Sequence, residues 1–290
     1  MLLVVNMACG LANRMFQYSY YLYLKRLGYD VFVDYYETAK LAHESVAWNQ
    51  IFPKASINQA LWGEVFRLGG GSSMFARLRR RYLPFTTRVV YMPTAFTVSL
   101  PEKDGKNAYL FGVFQNAQMV NNVATDVRSA FVFAPFEDEH NKVLAKEMSE
   151  CESVAVHVRK GTDYMERIWY QNTCPLSYYE AAIELVKKKL ANPKFYVFAD
   201  NHEWVRENFK GFDYRLVEGN PSAGWGSHFD MQLMSLCHHN IISNSTYSWW
   251  GAFLNASADK VVILPEVWFS PKSCEDYTSA KLLCEGWISL

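Results

Sequence analysis

The densest chemistry in the chain lies in Ser153-Val154-Ala155-Val156-His157-Val158-Arg159-Lys160-Gly161-Thr162-Asp163-Tyr164. Arg159 carries a planar guanidinium, which suits bidentate contact with phosphate oxygens and keeps its charge when partly desolvated. Lys160 adds a second cation and Asp163 a carboxylate, with His157 just upstream. A purely structural Arg–Asp ion pair is the competing reading. The run before this cluster is almost wholly apolar and rich in valine, as in a strand buried on both faces. Open α/β sheets bind their ligands beyond the carboxyl ends of strands. The run is therefore expected to deliver its polar end to a site.

Two further strand-like runs end in the same manner. Phe195 to Ala199 leads into Asp200-Asn201, and Asn240 to Ile242 leads into Ser243-Asn244-Ser245-Thr246 ahead of a helical stretch from Tyr247. A helix start presents unpaired N–H groups and the positive end of the dipole, so it favours an anion. The hydroxyls of Ser245 and Thr246 could join it, with Asn244 orienting them; plain N-capping is the alternative. Arg159 and such a helix start would make a cradle for a pyrophosphate without a metal ion. No DxD pair stands out for a divalent ion, so neither metal nor cofactor is expected. Asp200, and Asp230 at the start of the helical stretch to Cys237, are candidates to accept hydrogen bonds from a base or ribose. His157 could line the site, but a structural hydrogen bond is the plainer reading of a lone strand histidine.

The remaining elements must position these groups. Leu2 to Val5 reads as a strand, followed by a turn at Gly10, a helix from Asn13 closed by Gly28, and a strand Val31 to Asp34. This is the opening of an α/β domain. The turn is not GxGxxG, so no dinucleotide site is read from it. Asn13 either caps its helix or faces the crevice. Residues from about Tyr35 to Phe85 carry helical patches, with a mobile loop expected at Gly69-Gly70-Gly71-Ser72-Ser73. Tyr109 to Val113 reads as a strand ending at Gln115 and Asn116, and Val120 to Met148 as helices broken at Pro135. The polar stretch Glu147 to Glu152 is the expected boundary, giving domains 1–150 and 151–290. Beyond it, helices Ser177–Leu190 and Glu203–Phe209 alternate with strands Tyr214–Val217 and Lys260–Pro265. That alternation implies a mostly parallel sheet with right-handed crossovers.

Composition narrows the partners. The 290 residues suffice for one large or two ordinary domains, and a formal net charge of zero argues against nucleic acid. The basic cluster Arg77, Arg79, Arg80, Arg81 reads as a solvated helix face, with an acidic partner as the alternative. Aromatic residues reach 16%; most are expected in the core, but Trp and Tyr also serve sugar-handling proteins as platforms. The six cysteines show no CxxC and no metal-like spacing, so they are expected as free thiols in a reducing compartment. Met1 to Val5 is too short for a signal peptide, and no run reaches the ~18 apolar residues of a membrane span. A soluble, cytoplasmic protein without a transmembrane segment is expected.

These motifs, taken in order, resemble those of the bacterial α-1,2-fucosyltransferases of glycosyltransferase family 11. The family's Gly-Leu-Gly-Asn-Gln-Met-Phe-Gln-Tyr is similar to Gly10-Leu11-Ala12-Asn13-Arg14-Met15-Phe16-Gln17-Tyr18. Its His-Val-Arg-Arg-Gly-Asp-Tyr is similar to His157 through Tyr164, its Ser-Asp-Asp strand end to Ala199-Asp200-Asn201 with Trp204 following, and its Asn-Ser-Thr-Phe-Ser-Trp-Trp to Asn244 through Trp250. The chain departs at Ala12 for a glycine, Arg14 for Gln, Lys160 for the second Arg, Asn201 for an Asp, and an added Thr162.

The resemblance implies an α/β architecture of two Rossmann-like domains facing across a cleft, the GT-B type. It implies GDP-β-L-fucose as donor and a galactose-terminated oligosaccharide as acceptor, with fucose joined to the galactose 2-hydroxyl, inversion at the anomeric carbon, and no metal. On that reading Arg159, Lys160, Asp200, Asp230, Asn244, Ser245 and Thr246 bind the donor in the C-terminal half. Asn13 contacts the fucose or acceptor side, and His157 and Asp163 are the candidates for a general base. A transferase of the same fold with another donor or linkage, and a non-catalytic glycan- or nucleotide-binding module, are the rivals.

Overall fold

The computed structural model describes residues 1–36, 48–71, 73–101 and 105–290, with the side chains of Asp163 and Tyr164 outside the description. The chain divides into two compact units, Met1–Ala134 and Pro135–Leu290.

The first unit holds a four-stranded sheet in the order β2-β1-β4-β3, every neighbour parallel. Its strands are β1 (Leu2–Asn6), β2 (Asp30–Asp34), β3 (Val89–Tyr91) and β4 (Ala108–Phe111). A buried polar knot ties three of them: Tyr109 Oη donates to Asp34 Oδ2 at 2.7 Å and accepts from Asn6 Nδ2 at 2.7 Å. Burial, with the Asp34 charge next, pushes the Tyr109 phenol far above its ordinary pKa. The helix Leu11–Arg26 starts earlier than its sequence announces, with Gly10 as N-cap, so Asn13 lies inside the first turn and does not cap it. It ends as expected at Gly28, whose φ of 84° lets its N–H reach the Lys25 carbonyl at 2.9 Å.

The glycine cluster differs from its expectation. Gly69 closes the helix Trp62–Leu68 in the left-handed region, φ 89°. Gly70 lies so close to Tyr109 that a Cβ would stand 2.3 Å from the ring. Arg80 Nη1 donates to the carbonyls of Gly69 and Gly71 at 2.6 and 2.8 Å. Glycine is required here by close packing, not by mobility; Ser72 lies outside the described residues.

The second unit holds a six-stranded, all-parallel sheet in the order β10-β9-β8-β5-β6-β7. These are β5 (Ser153–Val158), β6 (Lys194–Ala199), β7 (Tyr214–Val217), β8 (His239–Ile241), β9 (Val262–Leu264) and β10 (Ile288–Ser289). All six residues of β5 are buried, as its apolar run requires. Val154, Val156 and Val158 pack with Val197, Ile241 and Ile263 beneath the helix Leu176–Lys189. The unit begins at Pro135, ahead of the expected boundary near residue 150. The reason is the helix Glu139–Ser149: its Asn141 donates to Asn220 at 2.8 Å, and Ser153 Oγ donates to the Met148 carbonyl at 2.7 Å. The polar stretch 147–152 is thus the turn into β5.

Each sheet has one point where strand order reverses. The chain runs from β5 to β6 and β7 on one side, then returns to place β8 on the other. In the first unit the same reversal falls between β1 and β4. Such switch points open crevices at the carboxyl ends of the strands.

Candidate functional site

The crevice of the second unit lies at the carboxyl ends of β5 and β8. Arg159 follows the last residue of β5, and its Nε is 3.1 Å from Asp200 Oδ2 beyond β6. The other oxygen, Asp200 Oδ1, accepts the Lys160 backbone N–H at 2.6 Å. Expected to meet a base or ribose, Asp200 instead directs both oxygens into the chain, one fixing the guanidinium and one the loop that carries it. Lys160 is also placed differently from its expectation. Successive residues leave a strand on opposite faces, so its ammonium turns inward, 3.3 Å from the Thr173 carbonyl and 5.4 Å over the Trp204 ring. Burial lowers its pKa. Arg159 is left as the more accessible cation, its side chain 35% exposed.

On the β8 side, Asn244 is buried and works as a clamp. Its Nδ2 donates to the Trp268 carbonyl at 2.9 Å, its Oδ1 accepts from Cys174 Sγ at 3.3 Å, and its N–H returns to that sulfur at 3.3 Å. Burial pushes the Cys174 thiol up to about 12. Ser245 is the N-cap of the helix Thr246–Leu254, yet its side chain makes no capping bond. Its hydroxyl and the half-buried Thr246 at the first helical position stand beside the helix N–H groups, which is the arrangement an anion needs.

His157 joins the two sides. Its Nδ1 bonds Ser243 Oγ at 2.7 Å, and its ring lies 5.9 Å from that of Tyr247. Tyr247 in turn feels the charges of both Arg159 and Asp230, although burial dominates and drives its phenol pKa upward. Its Oη accepts the Met231 N–H at 2.8 Å and donates to the Ser227 carbonyl at 2.8 Å. Asp230, in the helix Phe229–Leu236, accepts from Asn220 Nδ2 at 2.7 Å, and burial raises its carboxyl pKa. Asp163 lies outside the described side chains.

Burial, and after it the charge of Arg159, lowers His157 from 6.5 to about 3. The unfolded chain therefore takes up this proton first as the pH falls. The stability tied to neutral His157 is complete above pH 6.5 and is lost progressively toward pH 3. His228, lowered to about 4 by burial, acts with the same sign. The thermal unfolding midpoint is expected to drop through this window, and His157→Gln should flatten part of the drop. An identical slope in the variant would assign the acid sensitivity elsewhere.

The first unit builds a second polar crevice. Gln17 bridges the loops after β1 and β4: its Oε1 accepts the Ala8 N–H at 2.9 Å and its Nε2 donates to the Gly112 carbonyl at 2.8 Å. Both loops contain a non-glycine residue in the left-handed region, Cys9 at φ 75° and Phe114 at φ 52°, a strain that collects at functional sites. Asn13 Oδ1 accepts from Gln115 Nε2 at 3.0 Å. Gln115 Oε1 and Arg14 Nε are buried without a hydrogen-bond partner among the described residues, although Arg14 does donate through Nη1 to Tyr35.

The profile of glycosyl transferase family 11 matches residues 93–289, well over half of the chain. The chain belongs to glycosyl transferase family 11. Among its family relatives, the O-antigen biosynthesis glycosyltransferase WbnK of Escherichia coli is 32% identical over 196 residues, 64% of this chain and 62% of that protein. An α-1,2-colitosyltransferase of Escherichia coli is 33% identical over 158 residues, 50% of this chain and 51% of that protein. The chain thus spans about half to three fifths of the length of these curated relatives. The fucosyltransferase NodZ from Bradyrhizobium shares 13% identity, covering 86% of this chain and 90% of that one at a TM-score of 0.47.

For a family 11 chain the spacing of the motifs locates the site loops but not the side chains that brace them. Ser243 and Cys174 are not among the expected site residues, and nothing short-range marks them: their partners lie 86 and 70 residues away. Gln17 has one partner nine residues away and another 95 away. Gln115 carried one signal, its place at the end of a strand.

Proposed function

We propose that this family 11 glycosyltransferase moves L-fucose from GDP-β-L-fucose to the 2-hydroxyl of a terminal β-galactoside, with inversion and without a metal. The observation that carries this reading is Arg159, braced by Asp200 at the end of β5, in the same crevice as the uncommitted start of the helix Thr246–Leu254. In the reaction the acceptor hydroxyl oxygen attacks the anomeric carbon from the face opposite GDP, and its proton passes to a base, Asp163 or water. The bond from that carbon to the β-phosphate oxygen breaks, and its electron pair leaves with GDP. Arg159 opposes the charge that develops there, so it stabilises the transition state more than the ground state. Ser245 and Thr246 hold the pyrophosphate with the helix N–H groups, and Asp230 is the remaining candidate for the base or ribose. Lys160 contributes its backbone N–H to the brace. Similarity to the α-1,2-colitosyltransferase favours a second reading, with colitose as the transferred sugar.

Incubation with GDP-fucose or GDP-colitose and a panel of galactosides, followed by determination of product linkage, tests the proposal. A fucosyl α-1,2 product formed in the presence of chelator supports it. A different linkage, strict preference for the other donor, or activity restored only by Mg²⁺ or Mn²⁺ overturns the corresponding part.

Asn13 supports the acceptor side of the reading. It does not cap its helix, and its partner Gln115 keeps one buried oxygen for a hydroxyl group. Asn13→Ala is expected to lower turnover by roughly 10-fold or more while GDP affinity changes little, as for a contact on the reacting sugars. Unchanged turnover in a less stable variant would leave Asn13 as a structural residue.

A further inference from the structure

The helix Met74–Tyr82 buries only Ala76, on one face. Its opposite side carries Met74, Phe75, Leu78 and Tyr82, which fall within a sector of about 100° on a helical projection. Phe75 is 66% exposed, and Phe85, in the turn that follows, is 82% exposed. A stripe that normally faces a core here faces outward. It is also continuous with the neighbouring helix Trp62–Leu68: Trp62 stacks on Phe66 at 5.4 Å between centroids, and Phe66 on Phe75 at 6.2 Å.

The charge around this stripe is mainly positive. Residues 65–101 contain six arginines and no aspartate or glutamate, in a chain whose formal net charge is zero, with Glu64 in the neighbouring helix as the nearest acid in sequence. At 100° per residue Arg77 and Arg81 flank one side of the stripe, with Arg81 also 5.6 Å over the Tyr82 ring. Arg79 flanks the other, donating to the carbonyls of Phe66, Arg67 and Thr86 and so fastening the helix to its surroundings. Outward aromatic and aliphatic side chains rimmed by arginine fit the boundary layer of an anionic bilayer, where rings and stems enter the acyl edge and guanidinium groups meet phosphates. A second copy of this chain would set arginine against arginine, and a nucleic acid would leave the apolar stripe in water.

We propose that the face formed by the helix Met74–Tyr82, Phe85 and Trp62 docks on an anionic lipid bilayer as a peripheral contact. The described helices include none long and apolar enough to cross a membrane, so attachment through this face would be reversible. The proposal is independent of which sugar donor the chain uses.

Cosedimentation of the whole chain with phosphatidylcholine vesicles, with and without phosphatidylglycerol, tests it. Binding is expected only where phosphatidylglycerol is present, and should weaken with salt. Arg77→Gln with Arg81→Gln should lower the affinity by about fivefold per arginine. Phe75→Ser with Phe85→Ser, both at exposed positions, should lower it further without changing the thermal unfolding midpoint. Three results would overturn the proposal: no binding to either vesicle, binding that the folded Ser variants retain in full, or a dimer in sedimentation equilibrium that Phe75→Ser dissolves. Capture by polyglutamate but not by vesicles would also overturn it, in favour of an acidic polypeptide.

Discussion

Arg159→Ala is expected to fold normally and to lose on the order of 100-fold or more in turnover, the usual effect of deleting one preorganised charge contact. Folding should survive because the guanidinium is one-third exposed, and a solvated ion pair with Asp200 contributes little to stability. Asp200 keeps its second partner, the Lys160 N–H. Arg159→Lys should recover little, since an ammonium is a point charge without the planar fork that Asp200 now aligns. Turnover and GDP affinity would be measured for both variants beside thermal unfolding. Near-normal turnover in a well-folded Arg159→Ala protein would remove Arg159 from the reaction and take the donor-site assignment with it.

Asp200→Ala is expected to cost nearly as much, though Asp200 acts through its neighbours. Without it the guanidinium loses the contact at 3.1 Å and the loop amide the one at 2.6 Å. Misplacement of a catalytic contact by about 1 Å can cost on the order of 100-fold. Asp200→Asn should be intermediate, because its amide oxygen can still accept from Lys160 while the ion pair is gone. Turnover should fall much more than GDP affinity. Equal losses in both would return Asp200 to direct contact with the nucleotide and deny it the positioning role.

Much of the second unit was legible because its strands are continuous apolar runs with polar ends. The strand Tyr214–Val217 has the expected limits, and β5, β6 and the helix Thr246–Leu254 lie within a residue or so of theirs. β3 and β10 escaped because they are short edge strands that are partly exposed, whereas β8 and β9, no longer than β3, are wholly buried. The site was legible at the level of which loops meet. It was less so at the level of which way side chains point. Lys160 looks like a twin of Arg159 in the sequence, but the alternation of the backbone sends it toward Trp204. Gly69 and Gly70 look like a hinge because sequence does not show the Tyr109 ring that packs against them. The boundary was misplaced because the contact that carries the helix Glu139–Ser149 into the second unit, Asn141 to Asn220, spans 79 residues.

The seating of β8 against β5 also sets an order in time. Lys160 and Asp200 are 40 residues apart, whereas His157 and Ser243 are 86 apart. A ribosome adds about 5–20 residues per second, so the Arg159–Asp200 side of the crevice can close seconds before Ser243 has been made. Through that interval β5 is an edge strand, largely apolar and with one row of backbone N–H and C=O groups unpaired. Such an edge is a template for pairing with other chains. The same return of the chain that creates the crevice thus leaves the newborn protein most prone to aggregate just before β8 arrives.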